Sequence, residues 1–208
     1  MNALEWILEK KIIAILRGVL PSNMLDVVQA LHEGGVTVLE ITLNSQDAIS
    51  QIRKITEQYS GTMLIGAGTV LDMEGARAAK DAGAKFLISP GLDEKVVQFA
   101  RDNNLVSIPG AYTPTEILRA HRAGADIVKI FPVSDPAYLK SVSAPLGHIK
   151  MMPTGGINTQ NIHEFARAGA VAFGIGSALV SKHFIMDDDY LAGIRSRAEG
   201  FVRAAASI

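Results

Sequence analysis

The sequence of 208 residues contains no cysteine. That absence excludes a disulfide framework, a thiolate-ligated metal site and thiol-based catalysis. The chain also lacks an excess of charge of either sign, because 20 lysines and arginines oppose 21 aspartates and glutamates. So balanced a chain indicates neither a nucleic-acid surface nor an anionic membrane surface, and a small-molecule ligand is favoured by elimination.

Long uncharged apolar runs are absent as well. No stretch of about 18 apolar residues is free of charge, so we predict no membrane span. Residues 1–11 carry charges within their only apolar stretch, which predicts a short amphipathic helix rather than a signal peptide. With 48% hydrophobic residues the chain can bury one sizeable core. We therefore expect a single cytoplasmic domain spanning residues 1–208.

Short β-branched apolar runs recur along the chain, and the segments between them have helical character. The runs begin near Lys11, Val36, Met63, Lys85, Leu105, Ile127, Ile149 and Val171. Strands that alternate with helices imply right-handed crossovers and a parallel sheet. Eight units suffice to close that sheet, so we predict an α/β fold, a single compact (β/α)8 TIM barrel with an N-terminal helix.

The alternative fold is an open doubly wound sheet. That fold places a glycine-rich phosphate-binding turn after its first strand. Here the corresponding turn, residues 17–21, reads Arg-Gly-Val-Leu-Pro and has no such fingerprint. The barrel is therefore favoured, and in a barrel the chemistry lies at the carboxyl ends of the strands.

Lys129 stands in the apolar run Ile127-Val-Lys-Ile-Phe-Pro132, which otherwise predicts a buried strand. A buried ammonium needs a partner, a lowered pKa or a reaction, because removing the charge from water is costly. A neutral, desolvated lysine is a good nucleophile towards a carbonyl. The alternative is a lysine at a strand end that extends to solvent.

Residues two apart share one face of a strand, so Glu40 lies on the same face as Thr42, and Lys129 on the same face as Phe131. If both faces line the barrel, a carboxylate, the lysine and Arg17 from the end of the first strand meet inside it. Arg17 would then favour the neutral form of Lys129. Two alternatives stay open, because Glu40 could be a structural ion-pair partner and Arg17 could anchor a helix end.

Two glycine-rich segments follow the last two predicted strands. They are Gly155-Gly156 and Gly174-Ile-Gly176-Ser177. Barrels often bind phosphate at the ends of strands seven and eight, and glycine lets the backbone amides approach an anion closely. Ser177 adds a hydroxyl donor. Together the segments predict a phosphate-binding site, although each glycine pair alone would indicate a turn.

No metal or cofactor is predicted. The five histidines fall mostly in helical or loop segments and lack the spacing of metal ligands. They are His32, His121, His148, His163 and His183.

Taken in order, seven motifs resemble those of the 2-keto-3-deoxy-6-phosphogluconate and 4-hydroxy-2-oxoglutarate aldolases. They are Leu39-Glu-Ile-Thr-Leu, Gly66-Ala-Gly-Thr-Val-Leu, Ser89-Pro-Gly, Pro109-Gly with Thr113-Pro-Thr-Glu, Lys129-Ile-Phe-Pro, Pro153-Thr-Gly-Gly-Ile and Gly176-Ser. The resemblance spans almost the whole chain. It implies a class I aldolase, a carbon-carbon lyase that acts on a phosphorylated 2-keto acid and is usually a homotrimer of small barrels.

The resemblance also implies roles for individual residues. The Schiff-base lysine falls on Lys129 and the general acid/base on Glu40. The pyruvate-pocket positions fall on Thr69, Pro90 and Phe131, and the phosphate-binding positions on Gly155, Gly156, Gly176 and Ser177. Cleavage of 2-keto-3-deoxy-6-phosphogluconate would then give pyruvate and glyceraldehyde 3-phosphate.

One departure from the family pattern bears on the substrate. Many members carry an arginine after the Thr-Leu pair of the strand-two motif, where this chain has Asn44. Arg17 could supply the missing charge for the substrate carboxylate. The segments Ile15-Leu-Arg-Gly and Leu43-Asn-Ser also resemble 6-phosphogalactonate aldolases, whereas the Thr-Pro-Thr-Glu and Pro-Thr-Gly-Gly segments favour the gluconate substrate. A noncovalent sugar-phosphate-binding barrel is the remaining alternative.

Overall fold

The computed structural model describes residues 1–133, 135–181 and 186–208. It begins with helix α1, Ala3–Lys10, which confirms the short amphipathic helix. Asn2 opens this helix with a capping box: its side chain accepts a hydrogen bond from the Glu5 amide, and the Glu5 carboxylate accepts one from the Asn2 amide. Ile7 is its buried residue.

Nine strand segments occur within the described residues, and every pairing between them is parallel. Eight of the predicted runs correspond to strands, but the fifth is divided at Pro109, which has no amide hydrogen for the ladder. The segments are β1 Ile12–Leu16, β2 Val38–Thr42, β3 Leu64–Gly68, β4 Phe86–Ile88, β5 Val106–Ile108, β6 Gly110–Ala111, β7 Val128–Ile130, β8 Met151–Pro153 and β9 Phe173–Ile175.

Helices occupy the segments between the strands, as the alternation predicts. They are α2 Met24–Glu33, α3 Ala48–Gln58, α4 Met73–Asp81, α5 Glu94–Asp102, α6 Pro114–Arg122, α7 Pro136–Leu146, α8 Ile162–Arg167 and α9 Asp188–Ala206. Over the part of the chain that the structure describes, no helix combines the length and the apolar character that crossing a bilayer requires.

The strands form two sheets, so the parallel α/β fold is confirmed, while one closed barrel stays a prediction. A six-stranded sheet has the order β5-β4-β3-β2-β1-β9, and a three-stranded sheet has the order β6-β7-β8. Isolated bridges at Met151–Ala170 and Thr154–Gly174 link β8 to the last strand. The Lys129 amide donates to the Pro109 carbonyl oxygen over 2.9 Å at the other seam. The fold is thus an α/β fold with parallel strands in a curled, half-barrel sheet.

Strand alternation divides the buried residues into two cores. The outer core lies between strands and helices and includes Leu39 and Ile41 of β2. The inner core lies on the opposite strand faces and includes Val38, Phe86 and, from α1, Ile7. Towards the carboxyl ends of the strands, the same inner faces carry polar side chains. This change from apolar to polar residues marks the position of the functional site. The buried polar residues on these faces are Glu40, Thr42, Lys129 and Thr154.

Candidate active site

Lys129 lies in the centre of β7 and is 4% exposed. Its neighbours Val128 and Ile130 belong to the outer core, so alternation turns the lysine to the other face. The solvent-extended alternative is therefore wrong. The Nζ atom lies 4.9 Å from the centre of the Phe131 ring. Burial holds the pKa of Lys129 below its ordinary value; the Glu40 carboxylate acts against this shift, and the Arg17 guanidinium adds to it.

Glu40 is fully buried in β2, and burial raises its pKa above the ordinary value. The positive charges of Lys129 and Arg17 oppose that rise. Neither carboxylate oxygen has a hydrogen-bond partner among the described residues. Buried polar atoms normally have partners, so this carboxylate is suited to meet a water or a substrate hydroxyl.

Gly68 provides the space that Glu40 occupies. A Cβ atom at position 68 would overlap the carboxylate of Glu40. The two residues lie on neighbouring strands, with Thr42 of β2 paired with Gly68 of β3. Packing therefore explains the glycine at position 68, because it leaves room for the Glu40 side chain on the same face of the sheet.

Arg17 follows β1 at the edge of the site and is exposed. Its Nη2 atom lies 3.5 Å from the hydroxyl of Thr69. The next residue, Gly18, has φ +71° and donates its amide hydrogen to the hydroxyl of Ser45 over 2.9 Å. The Ser45 hydroxyl lies 2.9 Å from that of Thr42. Ser45, which no sequence pattern marked as a site residue, connects the loop of Arg17 to the strand of Glu40.

The first glycine-rich segment forms a loop with unusual backbone angles. Gly155 has φ +116° and Gly156 has φ +62°, values that favour glycine. Within the described residues, the amides of Gly156 and Ile157 donate to no protein acceptor. We call residues 155–157 the glycine loop. Its unpaired amides suit an anionic ligand.

The second glycine-rich segment continues this rim. The amides of Gly176 and Ser177 also donate to no acceptor in the described part of the chain. The Gly176 carbonyl oxygen accepts from the amides of Leu179 and Val180 over 2.9 and 3.1 Å. Both predicted phosphate segments therefore present amides that are available for an anion.

A cavity of about 480 Å³ brings most of the predicted site residues together. It is lined by Ile15, Arg17, Lys129, Phe131, Thr154, Gly155, Gly156, Ile157, Asn158, Gly174, Ile175, Gly176, Ser177, Ala178 and Val180. The volume is that of a small-molecule site. A basic residue, a buried lysine and a rim of free amides suit a small ligand that carries a carbonyl and an anionic group.

Three predicted site residues, Glu40, Thr69 and Pro90, do not line this cavity. Glu40 is fully buried. Thr69 contacts the cavity residue Arg17 through its hydroxyl. Pro90 is exposed and lines a separate pocket of about 260 Å³ beside Gly91 and Gly110. The reason is that β4 ends at Ile88 and the following turn directs Pro90 against Gly110, where an added Cβ would overlap the Pro90 carbonyl.

Thr154 is a cavity residue that the sequence analysis quoted within a motif but did not assign. It is 6% exposed, and its hydroxyl has no partner among the described residues. Gly174 leaves space for that hydroxyl, which a Cβ atom at position 174 would overlap. Its position two residues after Met152 of the inner core would have placed it on the inner face.

The described residues contain no group of three or more histidine, cysteine, aspartate or glutamate side chains that could hold a metal ion. His121 and His148 pack edge to face with ring centres 5.3 Å apart. His183 lies outside the described residues.

The chain is similar to known proteins over most of its length. The sequence model of the KDPG and KHG aldolase family matches residues 4–195. The chain is similar to a probable 2-dehydro-3-deoxy-6-phosphogalactonate aldolase of Rhizobium meliloti, with 38% identity over 83% of this chain and 82% of that protein. It is similar to a 2-dehydro-3-deoxy-phosphogluconate aldolase of Pseudomonas aeruginosa, with 34% identity over 88% of this chain and 84% of that protein.

A solved structure of Legionella pneumophila KDPG aldolase, which holds pyruvate as a covalent carbinolamine, is also similar. The identity is 26%, the TM-score is 0.80, and 98% of each chain is covered.

Proposed function

Because the chain belongs to the KDPG and KHG aldolase family, whose members are carbon-carbon lyases, we propose that it cleaves 2-keto-3-deoxy-6-phosphogluconate to pyruvate and glyceraldehyde 3-phosphate through a Schiff base on Lys129. Cleavage of the unphosphorylated 4-hydroxy-2-oxoglutarate is a second activity of the same site. The observation that carries the proposal is a buried lysine with a lowered pKa that lines the cavity, together with the buried Glu40 carboxylate, whose charge acts on the pKa of that lysine.

Lys129 is the nucleophile of the proposed mechanism. Its neutral amine attacks the C2 carbonyl to give a carbinolamine, and loss of water leaves an iminium ion. Burial supports this role because it disfavours the protonated amine. The carbinolamine of the Legionella relative is the corresponding species in a similar fold.

Glu40 is the proposed base, because its carboxylate is buried and has no protein partner among the described residues. It takes the proton of the C4 hydroxyl, directly or through one water, while the C3–C4 bond breaks. The electron pair of that bond moves into the iminium, which yields an enamine and the aldehyde. Protonation at C3 and addition of water then release pyruvate and restore the amine.

Arg17 and the two glycine-rich segments bind the anionic ends of the substrate. Arg17 lines the cavity. It is the carboxylate anchor in place of the family's arginine, whose position Asn44 occupies in this chain. The glycine loop, together with Gly176 and Ser177, receives the phosphate through amides that have no other acceptor in the described structure. Phe131 forms an apolar wall beside the lysine. Thr69 and Pro90 remain proposed pyruvate contacts, the former through Arg17.

The first experiment incubates the protein with pyruvate and sodium borohydride and measures intact mass, followed by peptide mapping. We expect a reduced pyruvyl adduct on Lys129 that is absent from Lys129→Ala. Lys150→Ala is the matched control, because Lys150 is exposed beside β8 and its loss leaves the adduct unchanged. A folded wild-type protein without adduct would refute the Schiff-base mechanism and favour a noncovalent sugar-phosphate-binding protein.

The C4 epimer is the finer part of the proposal. The motifs Thr113-Pro-Thr-Glu and Pro153-Thr-Gly-Gly favour the gluconate substrate, while 2-keto-3-deoxy-6-phosphogalactonate is the alternative because relatives of both names are similar. Thr154 offers the unpaired hydroxyl that could distinguish the epimers. The ratio of kcat/KM for the two substrates decides between them, and Thr154→Val should change that ratio if its hydroxyl contacts the substrate.

We also propose, on the resemblance to this family, a single closed (β/α)8 barrel over residues 1–208 that forms a homotrimer and works in the cytoplasm. Hydrogen bonds at both seams of the two sheets support closure. Light scattering on the eluting protein tests the trimer, for which the mass should be three times the chain mass of 22.2 kDa.

A further inference from the structure

Asn161 makes an unusual use of its side chain. It is the residue before α8, where an asparagine normally accepts a hydrogen bond from an amide in the first helical turn. Asn161 makes no such cap. Its side-chain Nδ2 donates instead to the carbonyl oxygen of Gly156 over 2.9 Å, and its Oδ1 accepts from the amide of Asn158 over 2.9 Å. The side chain therefore serves the loop before the helix.

These two partners fix the orientation of the Asn161 amide group. One partner is a carbonyl oxygen and can only accept, and the other is an amide hydrogen and can only donate. The side chain thus bridges Gly156 and Asn158 in a single arrangement. Both of those residues line the cavity next to Lys129.

Asn158 completes the arrangement from the other direction. Its Oδ1 accepts from the amides of Gln160 and Asn161 over 2.9 and 3.1 Å. The start of α8 is therefore supported by Asn158, while Asn161 is left to hold the loop. The two asparagines form a reciprocal pair across residues 156–161.

The glycine loop needs such a restraint. Two consecutive glycines at φ +116° and +62° have access to more backbone conformations than any other residue pair, so ordering them costs conformational entropy. A loop that is ordered before its ligand arrives avoids that cost during binding. The amides of Gly156 and Ile157 are the groups that such ordering would present.

We propose that Asn161 is a positioning residue that holds the glycine loop in its phosphate-binding conformation, and that it thereby sets the preference for phosphorylated over unphosphorylated 2-keto acids. Asn161 itself is not among the residues that line the cavity. It acts through Gly156 and Asn158. This inference rests on the proposed function, because it assigns the glycine loop to the phosphate.

The test compares Asn161→Ala with wild type on two substrates. The two substrates are 2-keto-3-deoxy-6-phosphogluconate and unphosphorylated 2-keto-3-deoxygluconate. Loss of the two hydrogen bonds predicts that KM for the phosphorylated substrate rises about tenfold or more. The kcat for both substrates and the KM for the unphosphorylated one should change by less than about twofold, since Lys129 and Glu40 are untouched. A general structural defect would affect both substrates alike.

Two further variants make the comparison sharper. Asn161→Ser keeps a residue that caps helices well, but one hydroxyl cannot reach both Gly156 and Asn158. It should reproduce the selective effect if Asn161→Ala fails to fold. Asn103→Ala removes a comparable side-chain bond to a backbone carbonyl, 2.8 Å from Asn103 Nδ2 to the oxygen of Phe99, at the end of α5. This control should leave the substrate preference unchanged.

Direct binding of inorganic phosphate, measured by calorimetry on the wild-type protein and on Asn161→Ala, separates this inference from the proposed chemistry. Weaker phosphate binding by the variant supports the inference even if pyruvate forms no adduct on Lys129. Equal phosphate affinity, or an equal rise in KM for both substrates, would overturn it while leaving the Schiff-base mechanism intact.

Discussion

Lys129 and Glu40 each shift the other's pKa in the direction opposite to the shift that burial causes. Burial favours a neutral lysine and a neutral acid, whereas their mutual attraction favours the charged pair. The proposed mechanism uses Lys129 as a neutral amine and Glu40 as a carboxylate. Arg17 favours both of these states, because a nearby positive charge disfavours an ammonium and stabilises a carboxylate.

Replacing Glu40 with glutamine tests its role as a base. Glu40→Gln keeps the size of the side chain but removes the proton acceptor, so kcat for aldol cleavage should fall about 10²- to 10⁴-fold. The pyruvyl adduct on Lys129 should still form, because attack of the amine does not need the C4 proton transfer. Steady-state kinetics and borohydride trapping measure the two properties separately. A variant with near-normal kcat would exclude Glu40 as the base.

The same variant predicts a change in how stability depends on pH. The pKa of Glu40 is raised in the folded protein above its ordinary value of 4.5, so the folded state keeps this proton while the unfolded state has lost it. The free energy of unfolding therefore falls as pH rises from that ordinary value through the raised folded-state pKa. Glu40→Gln should remove this contribution to the slope. Urea unfolding between pH 4 and pH 8, run on both proteins, measures it, and identical slopes would contradict the assignment.

Strand alternation located Lys129 and Glu40, because it determines which face of the sheet a side chain lies on. The glycines were located because they follow the ends of predicted strands. They did not locate Ser45 or Asn161, because the contacts of both depend on loop backbone angles that no periodicity encodes. Pro90 lines a neighbouring pocket because of the turn after β4, and its contact with pyruvate stays a prediction. Thr154 was within reach of the alternation rule and was overlooked.

At the scale of elements, the site depends on the order of apolar and polar residues along individual strands. β2 carries apolar Val38 in the inner core and then Glu40 and Thr42, while neighbouring β3 carries glycine on the same faces. The strand positions were predictable from apolar runs. The division of the fifth strand was not, because it depends on how Pro109 interrupts one ladder.

Gly68→Ala tests whether β3 makes room for the acid of β2. The added Cβ would overlap the Glu40 carboxylate, so we expect that carboxylate to move and kcat to fall at least about 100-fold. Overpacking should also cost about 1–3 kcal/mol in the free energy of unfolding. Gly91→Ala is the control, because nothing lies within 4 Å of its Cβ position. Activity and urea unfolding are measured on both variants.

A second substitution can distinguish overlap from a general effect of alanine in the strand. Glu40→Asp shortens the acid by one methylene group, so the double variant Gly68→Ala with Glu40→Asp should recover part of the stability that Gly68→Ala loses. Additive losses of stability in the double variant would show that the two positions do not compete for space.

At the scale of the whole molecule, stability and chemistry occupy opposite ends of the strands. The inner core and α1 lie towards the amino ends, where Ile7 is fully buried and Trp6 Nε1 donates to the Thr37 hydroxyl over 3.1 Å. The cavity, the lysine and the glycine loop lie towards the carboxyl ends. This division is usual for barrels and lets the site keep unpaired polar groups at a modest cost to the fold.

Ile7→Ala tests that division. Removing the buried side chain from the inner core should lower the free energy of unfolding by about 2–5 kcal/mol. At a temperature where the variant is fully folded, kcat and KM should stay within about twofold of wild type, because the buried cluster that contains Ile7 shares no residue with the cavity lining. Urea unfolding followed by circular dichroism gives the first quantity and steady-state kinetics the second.

The control for this variant lies on the same helix. Glu9→Ala changes an exposed residue of α1 whose side chain forms a surface ion pair with Lys10, so its effect on stability should stay within about 0.5 kcal/mol. A loss of kcat in folded Ile7→Ala without loss of stability would show that packing at the amino end is coupled to the lysine and the acid. Loss of stability alone, with the pyruvyl adduct unchanged, would show that α1 stabilises the sheet and leaves the chemistry to the carboxyl ends.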